Sequence, residues 1–137
     1  MFAGMFEATT IPVLQEVVNF TQARHNVLAG NIANLNVPGY KTRDLSVADF
    51  QSRLQQAIEQ RDQPSVQYSP GETNYQLAEP LAEVAKNSKT IMRHDANNVG
   101  IEQQSAEVMK NQLEHNMALA LMVQQFQELA MAISGRV

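Results

Sequence analysis

Residues 31–41 read "NIANLNVPGYK". Pro38 disfavours helix at Val37, so a helix entering this stretch ends near Leu35. Val37-Pro38-Gly39-Tyr40 fits a type II turn: proline fixes φ at its second position and glycine accepts positive φ at its third. Asn34 or Asn36 suits a left-handed C-cap, and their amides can bond the last helical carbonyls, which lack intrahelical partners. A helix stop therefore explains one or two asparagines and the Pro-Gly pair. It does not explain Asn31, inside the helix, or Tyr40 and Lys41 after the turn.

Upstream, Leu14, Val18, Thr21, His25, Leu28, Ile32 and Leu35 are spaced 4,3,4,3,4,3. That is an unbroken heptad seam. Thr10 is placed to cap the helix, and Pro12 is harmless in a first turn, where its missing N–H has no intrahelical acceptor. A helix from Ile11 to Leu35 would be roughly 36 Å long. Thr21 and His25 are polar seam positions, which lower stability but fix register. His25 reads as a packed seam histidine or an inter-subunit hydrogen bonder.

A second helical pattern runs from Ile101 to Ile133. Ala106, Met109, Leu113, Met117 and Ala120 form one stripe; Leu119, Met122, Phe126, Leu129 and Ile133 form another, rotated from it. An apolar face this wide predicts contact with more than one neighbouring helix. Gly135 stands where a C-cap glycine belongs. The leftover apolar surface predicts self-association or assembly with similar chains.

Between the two helices lie Pro38, Pro64, Pro70 and Pro80. Residues 46–60 predict a short amphipathic helix capped by Ser46, with Val47, Phe50, Leu54 and Ile58 on one face. Ser69-Pro70-Gly71-Glu72 has type II turn chemistry, and residues 81–92 fit either helix or extended chain. The expected fold is all-α: long N- and C-terminal helices in coiled-coil packing, with a loop-rich, weakly structured middle. The divisions are 1–36, an N-terminal axial helix; 37–98, turn, short helix and loops; and 99–137, a C-terminal axial helix.

The net charge of −4, with scattered lysines and arginines, argues against nucleic-acid binding. Without cysteine there is neither disulfide nor thiolate metal site. The N-terminal "MFAGMFEATTIPVL" lacks the basic start and apolar run of a secretory signal. His25, His94 and His115 are isolated in sequence and belong to no paired ligand motif. His94-Asp95 invites a general-base reading, yet no nucleophile motif accompanies it. The six glycines are dispersed and form no phosphate-cradling loop. No enzyme, cofactor, metal or small-molecule substrate is expected.

Asn31-Ile32-Ala33-Asn34 followed by Pro38-Gly39-Tyr40-Lys41 resembles the N-terminal signature of bacterial flagellar rod, hook and hook-filament junction proteins. The signature is Asn-x-Ala-Asn, a few variable residues, then Thr-Pro-Gly-Tyr; Val37 replaces its threonine. Thr42-Arg43-Asp44 and the nearby Phe50 extend the likeness, as does the short chain. Asp95, Asn97, Val99, Glu102 and Asn111 match a second rod-protein segment, in which Ala96 replaces a glycine and His115 a common tyrosine.

The resemblance implies a structural role at the cell-proximal end of the flagellar rod. Subunits would assemble helically through paired terminal helices, forming drive shaft and export conduit. Implied site residues are Asn31, Ala33, Asn34, Pro38, Gly39, Tyr40 and Lys41 at the turn. The seam expectation adds Leu14, Val18, Leu28, Ile32, Leu113, Met117, Phe126 and Leu129. Implied partners are further copies of the chain, FlgC-like rod proteins, the adaptor FliE and the export gate, with membrane proximity only through the basal body. The implied location is the periplasmic rod, reached by flagellar type III export without a cleaved signal. The alternative is a free-standing helical adaptor or chaperone of that export system, which leaves the Asn/Pro-Gly-Tyr block unexplained.

Overall fold

The computed structural model describes residues 9–62, 81, 84–86, 88–92 and 100–135. Helix α1 (Ile11–Ala33) is followed by strand β1 (Arg43–Leu45), helix α2 (Val47–Asp62), strand β2 (Thr90–Met92) and helix α3 (Ile101–Ser134). The turn expected at residues 69–72 and the matches at Asp95, Asn97 and Val99 lie outside the described residues.

Helix α1 begins after Thr10, with Pro12 in its first turn. Thr10 makes no side-chain cap bond; Thr9 Oγ1 accepts from the Ile11 N–H instead, at 3.3 Å. The helix ends at Ala33, two residues before Leu35. Helix α2 is capped as its sequence predicts: Ser46 Oγ accepts from the Asp49 N–H at 3.1 Å. Helix α3 ends with Gly135 in the left-handed region, also as expected.

The middle segment departs from expectation. It supplies most of the hydrophobic core, in which Leu45, Phe50, Ala57, Leu81 and Val84 pack around Phe20 of α1. The Phe20 and Phe50 rings stack with centroids 4.0 Å apart. Strands β1 and β2 pair antiparallel, Asp44 opposite Ile91, and the Ser46 N–H extends the ladder to the Lys89 carbonyl. Three-residue strands are too short to display the alternation by which strands are read. Glu16 ties the later segment to α1 through its Oε2, which accepts from the Ala85 N–H at 3.0 Å.

Helices α1 and α3 lie antiparallel, since Asn31 meets Gln104 while Thr21 meets Asn111 and His115. At ~1.5 Å per residue α3 is about 50 Å long and outruns α1 by several turns. Leu28 is buried in α1, whereas Leu14, Val18 and Ile32 are half-buried. The apolar stripe of α3 is not its inner face. Leu113 and Met117 are 70 % and 64 % exposed, Phe126 is exposed and Leu129 is half-buried. The buried positions are Gln104, Asn111 and Ala118, spaced by seven. This inner heptad is mostly polar, so counting apolar residues selects the wrong side of α3.

Candidate assembly site

The asparagine left over by the helix-stop reading is the centre of the turn. Asn31 is 1 % exposed. Its Nδ2 donates to the Arg43 carbonyl at 2.6 Å, and its Oδ1 accepts from the Arg43 N–H at 3.1 Å. One side chain thus satisfies both backbone groups of the first β1 residue, as a neighbouring strand would. The Tyr40 hydroxyl donates to the same Oδ1 at 3.3 Å, and Asn31 Nδ2 also reaches Gln104 Oε1 of α3 at 3.3 Å. Asn31 and Tyr40 therefore serve one purpose, folding the chain after the turn back along α1.

Gly39 has φ +77°, and the Tyr40 N–H closes the turn on the Val37 carbonyl at 3.2 Å. Nothing lies within 4 Å of a Cβ built on Gly39, so backbone conformation and not space requires glycine. Asn34 Nδ2 donates to the Gly30 carbonyl at 2.8 Å, bonding a late helical carbonyl as expected. The left-handed cap is corrected: Asn34 has φ −104°, and no non-glycine residue among those described has positive φ. Side-chain bonding at Asn34 makes that strained conformation unnecessary. Ala33, Asn36, Pro38, Tyr40 and Lys41 are exposed.

Returning the chain brings Asp44 beside α1. Arg24 donates from Nε to Asp44 Oδ1 and from Nη2 to Asp44 Oδ2, each at 2.9 Å. Its Nη2 also meets Glu107 Oε2 of α3 at 2.8 Å. The hydrogen bonds with Asp44, then the charges of both carboxylates, hold the buried guanidinium above its ordinary range, although burial pulls the other way. The planar fork suits this two-carboxylate contact better than an ammonium would. The triad joins α1, β1 and α3 at one point.

Sequence reading passed over Arg24, Asp44, Gln104 and Glu107 as site residues. For Arg24 and Gln104 the signal is heptad spacing of polar residues: Arg24 and Asn31 on α1, Gln104 and Asn111 on α3. The polar seam residue Thr21 does fix register, with its carbonyl accepting from Asn111 Nδ2 at 2.8 Å and its Oγ1 2.8 Å from His115 Nδ1. These groups can recognise and orient chain segments, and the Thr21 hydroxyl beside His115 is also bonded to the Val17 and Val18 carbonyls of its own helix. No helix among the described residues is long and apolar enough to cross a membrane.

The family described as "Flagella basal body rod protein" matches residues 18–41, a span running through the Arg24 and Asn31 side of α1 to the end of the turn. The chain is 30 % identical to the flagellar basal body rod protein FlgB of Aquifex aeolicus over 130 residues, covering 92 % of this chain and 94 % of that one. It is 32 % identical to FlgB of Escherichia coli over 115 residues, 77 % of this chain and 79 % of the relative. FlgB of Bacillus subtilis is 25 % identical over 129 residues, 92 % and 94 % of the two chains. Similarity that runs almost end to end, and includes the turn whose bonds are described above, makes this chain a member of the FlgB family, a structural component of the rod in the bacterial flagellar basal body.

Proposed function

We propose that the chain is a proximal-rod subunit that assembles helically through its terminal helices, building drive shaft and export conduit. One observation carries this reading: α3 turns its polar heptad inward and leaves Met109, Leu113 and Met117 uncovered along one side. These residues recur every four positions and lie on one helix face. A stripe of large apolar side chains in water favours a partner that covers it. Segments 1–36 and 99–137 are the assembling parts, and the described residues of segment 37–98 brace α1 through the core around Phe20.

The occupants are other copies of this chain and FlgC-like rod proteins, with FliE and the export gate at the cell-proximal end. The site of action is the periplasmic rod, reached by type III export without a cleaved signal. The free-standing adaptor alternative has nothing comparable in its favour. Leu113→Asp tests the reading: it should leave the monomer's helix content and unfolding midpoint near wild type, yet abolish rod formation and motility. Motile cells carrying Leu113→Asp would sink it.

A further inference from the structure

Helix α3 carries methionine where its apolar stripe is most open to water. Met109 is 72 % exposed and Met117 is 64 % exposed, on either side of Leu113 along the helix. At 3.6 residues per turn, these three lie opposite the buried positions Gln104, Asn111 and Ala118. The two thioethers therefore stand on the side of α3 away from its contact with α1. Met131, further along, is also exposed, whereas Met122 is half-buried.

The rest of the sequence leaves these sulfurs without competitors. The chain has 7 methionines and neither cysteine nor tryptophan. Thiolates react first with two-electron oxidants; where there are none, exposed thioethers take the oxidant. With hypochlorous acid the balance is simple. The methionine sulfur gives up two electrons and gains an S–O bond, the O–Cl bond breaks, chlorine leaves as chloride and the hydroxyl proton passes to water. The product is a sulfoxide, polar and chiral. On a solvated helix face its oxygen stays hydrated. Under an apolar partner the same oxygen is a buried acceptor without a donor.

We propose that Met109 and Met117 are an oxidative modification site: hypohalous acid converts them to sulfoxides, which blocks assembly of the free subunit without unfolding it. This holds given that the stripe is the surface covered in the rod, as proposed above. Each methionine is one helical turn from Leu113, so oxidation of both places a polar oxygen on either side of the central leucine. The bonds that set the register of α1 and α3, from Arg24, Asn31 and Asn111, lie on the other side of α3 and stay intact. Assembly itself protects the site, because a covered thioether is shielded from the oxidant. The sensitive stage is the subunit before it joins the rod.

The test treats the purified full-length chain with limiting hypochlorous acid and follows each methionine by peptide mass spectrometry. Met109 and Met117 should gain one oxygen at least about threefold faster than Met122, with helix content by circular dichroism near that of the untreated chain. Oxidation of Met122 at the same rate, or loss of helix once Met109 and Met117 are oxidised, overturns the proposal. The consequence is read in basal bodies isolated from cells carrying Met109→Gln with Met117→Gln, which imitates the polar sulfoxides, or Met109→Leu with Met117→Leu, which stays apolar. The glutamine pair should yield no rods and the leucine pair normal ones. Normal rods with the glutamine pair, while Leu113→Asp abolishes them, would overturn the oxidation site and leave the assembly reading standing. Normal rods with both the glutamine pair and Leu113→Asp would overturn the assembly reading itself. Loss of rods with the leucine pair would show that apolarity is not what the stripe supplies, and would also overturn the proposal.

Discussion

Helix α1 has two contacts, and they are built from opposite chemistry. Toward α2 it buries Phe20 against Phe50, Leu45 and Val84. Toward α3 it buries Thr21, Arg24 and Asn31 against Asn111, Glu107 and Gln104. Apolar burial is non-directional and stabilises at roughly 25 cal/mol per Å². Buried polar pairs exchange bonds to water for bonds to protein, so their net contribution is small, but a misaligned pair is strongly unfavourable. The first contact therefore supplies stability and the second supplies register. A helix held mainly by register can leave its apolar side uncovered, as α3 does.

The apolar contact is hit hardest by the Phe50→Ala substitution. It removes the stacked ring from the core and should lower unfolding free energy by about 3–5 kcal/mol in urea titration. Arg24→Met comes close behind, because Asp44 and Glu107 remain partly buried and lose their cation, a loss of about 3–5 kcal/mol. Replacing the three together, as Arg24→Met, Asp44→Leu and Glu107→Leu, should recover most of that loss. If the triple variant were as unstable as Arg24→Met, the triad would be a source of stability and the contrast between the two faces would fail.

At the turn the effects are smaller. Asn31→Ala leaves the Arg43 N–H and carbonyl without their partner and should cost about 1–3 kcal/mol for each group left unsatisfied. Gly39→Val meets no neighbouring atom, so its cost is the positive φ alone, about 1–3 kcal/mol. Gly39→Asn should recover part of it, since asparagine tolerates the left-handed region. Asn36→Ala, at an exposed position, should change stability by less than about 0.5 kcal/mol. Thermal unfolding of the four variants would give the order directly, and an Asn36→Ala loss as large as that of Asn31→Ala would contradict the bonding described here.

Both long helices, the Ser46 cap, the Gly39 turn and the Gly135 cap were legible in the sequence, because each follows from local chemistry at fixed offsets. The strands were not, since three residues carry no usable period. The inner face of α3 was missed for a different reason. Its buried positions are Gln104, Asn111 and Ala118, and a search for apolar heptads found Leu113 and Met117 instead. At the turn, Asn31 was visible as an unexplained residue, but its acceptor and donor on Arg43 come from a strand the sequence did not reveal. The Arg24 triad and the bonds from Thr21 to Asn111 and His115 depend on how α1 and α3 align, and pattern within one helix does not give that alignment.

On the proposed function, the outward apolar side of α3 is the surface covered in the rod. The chain has no cysteine, so Leu113→Cys introduces a single thiol reporter. Maleimide labelling of that thiol should be fast in the purified monomer and at least tenfold slower in isolated basal bodies. Equal labelling in both states would show that this face stays in water, and would contradict the account.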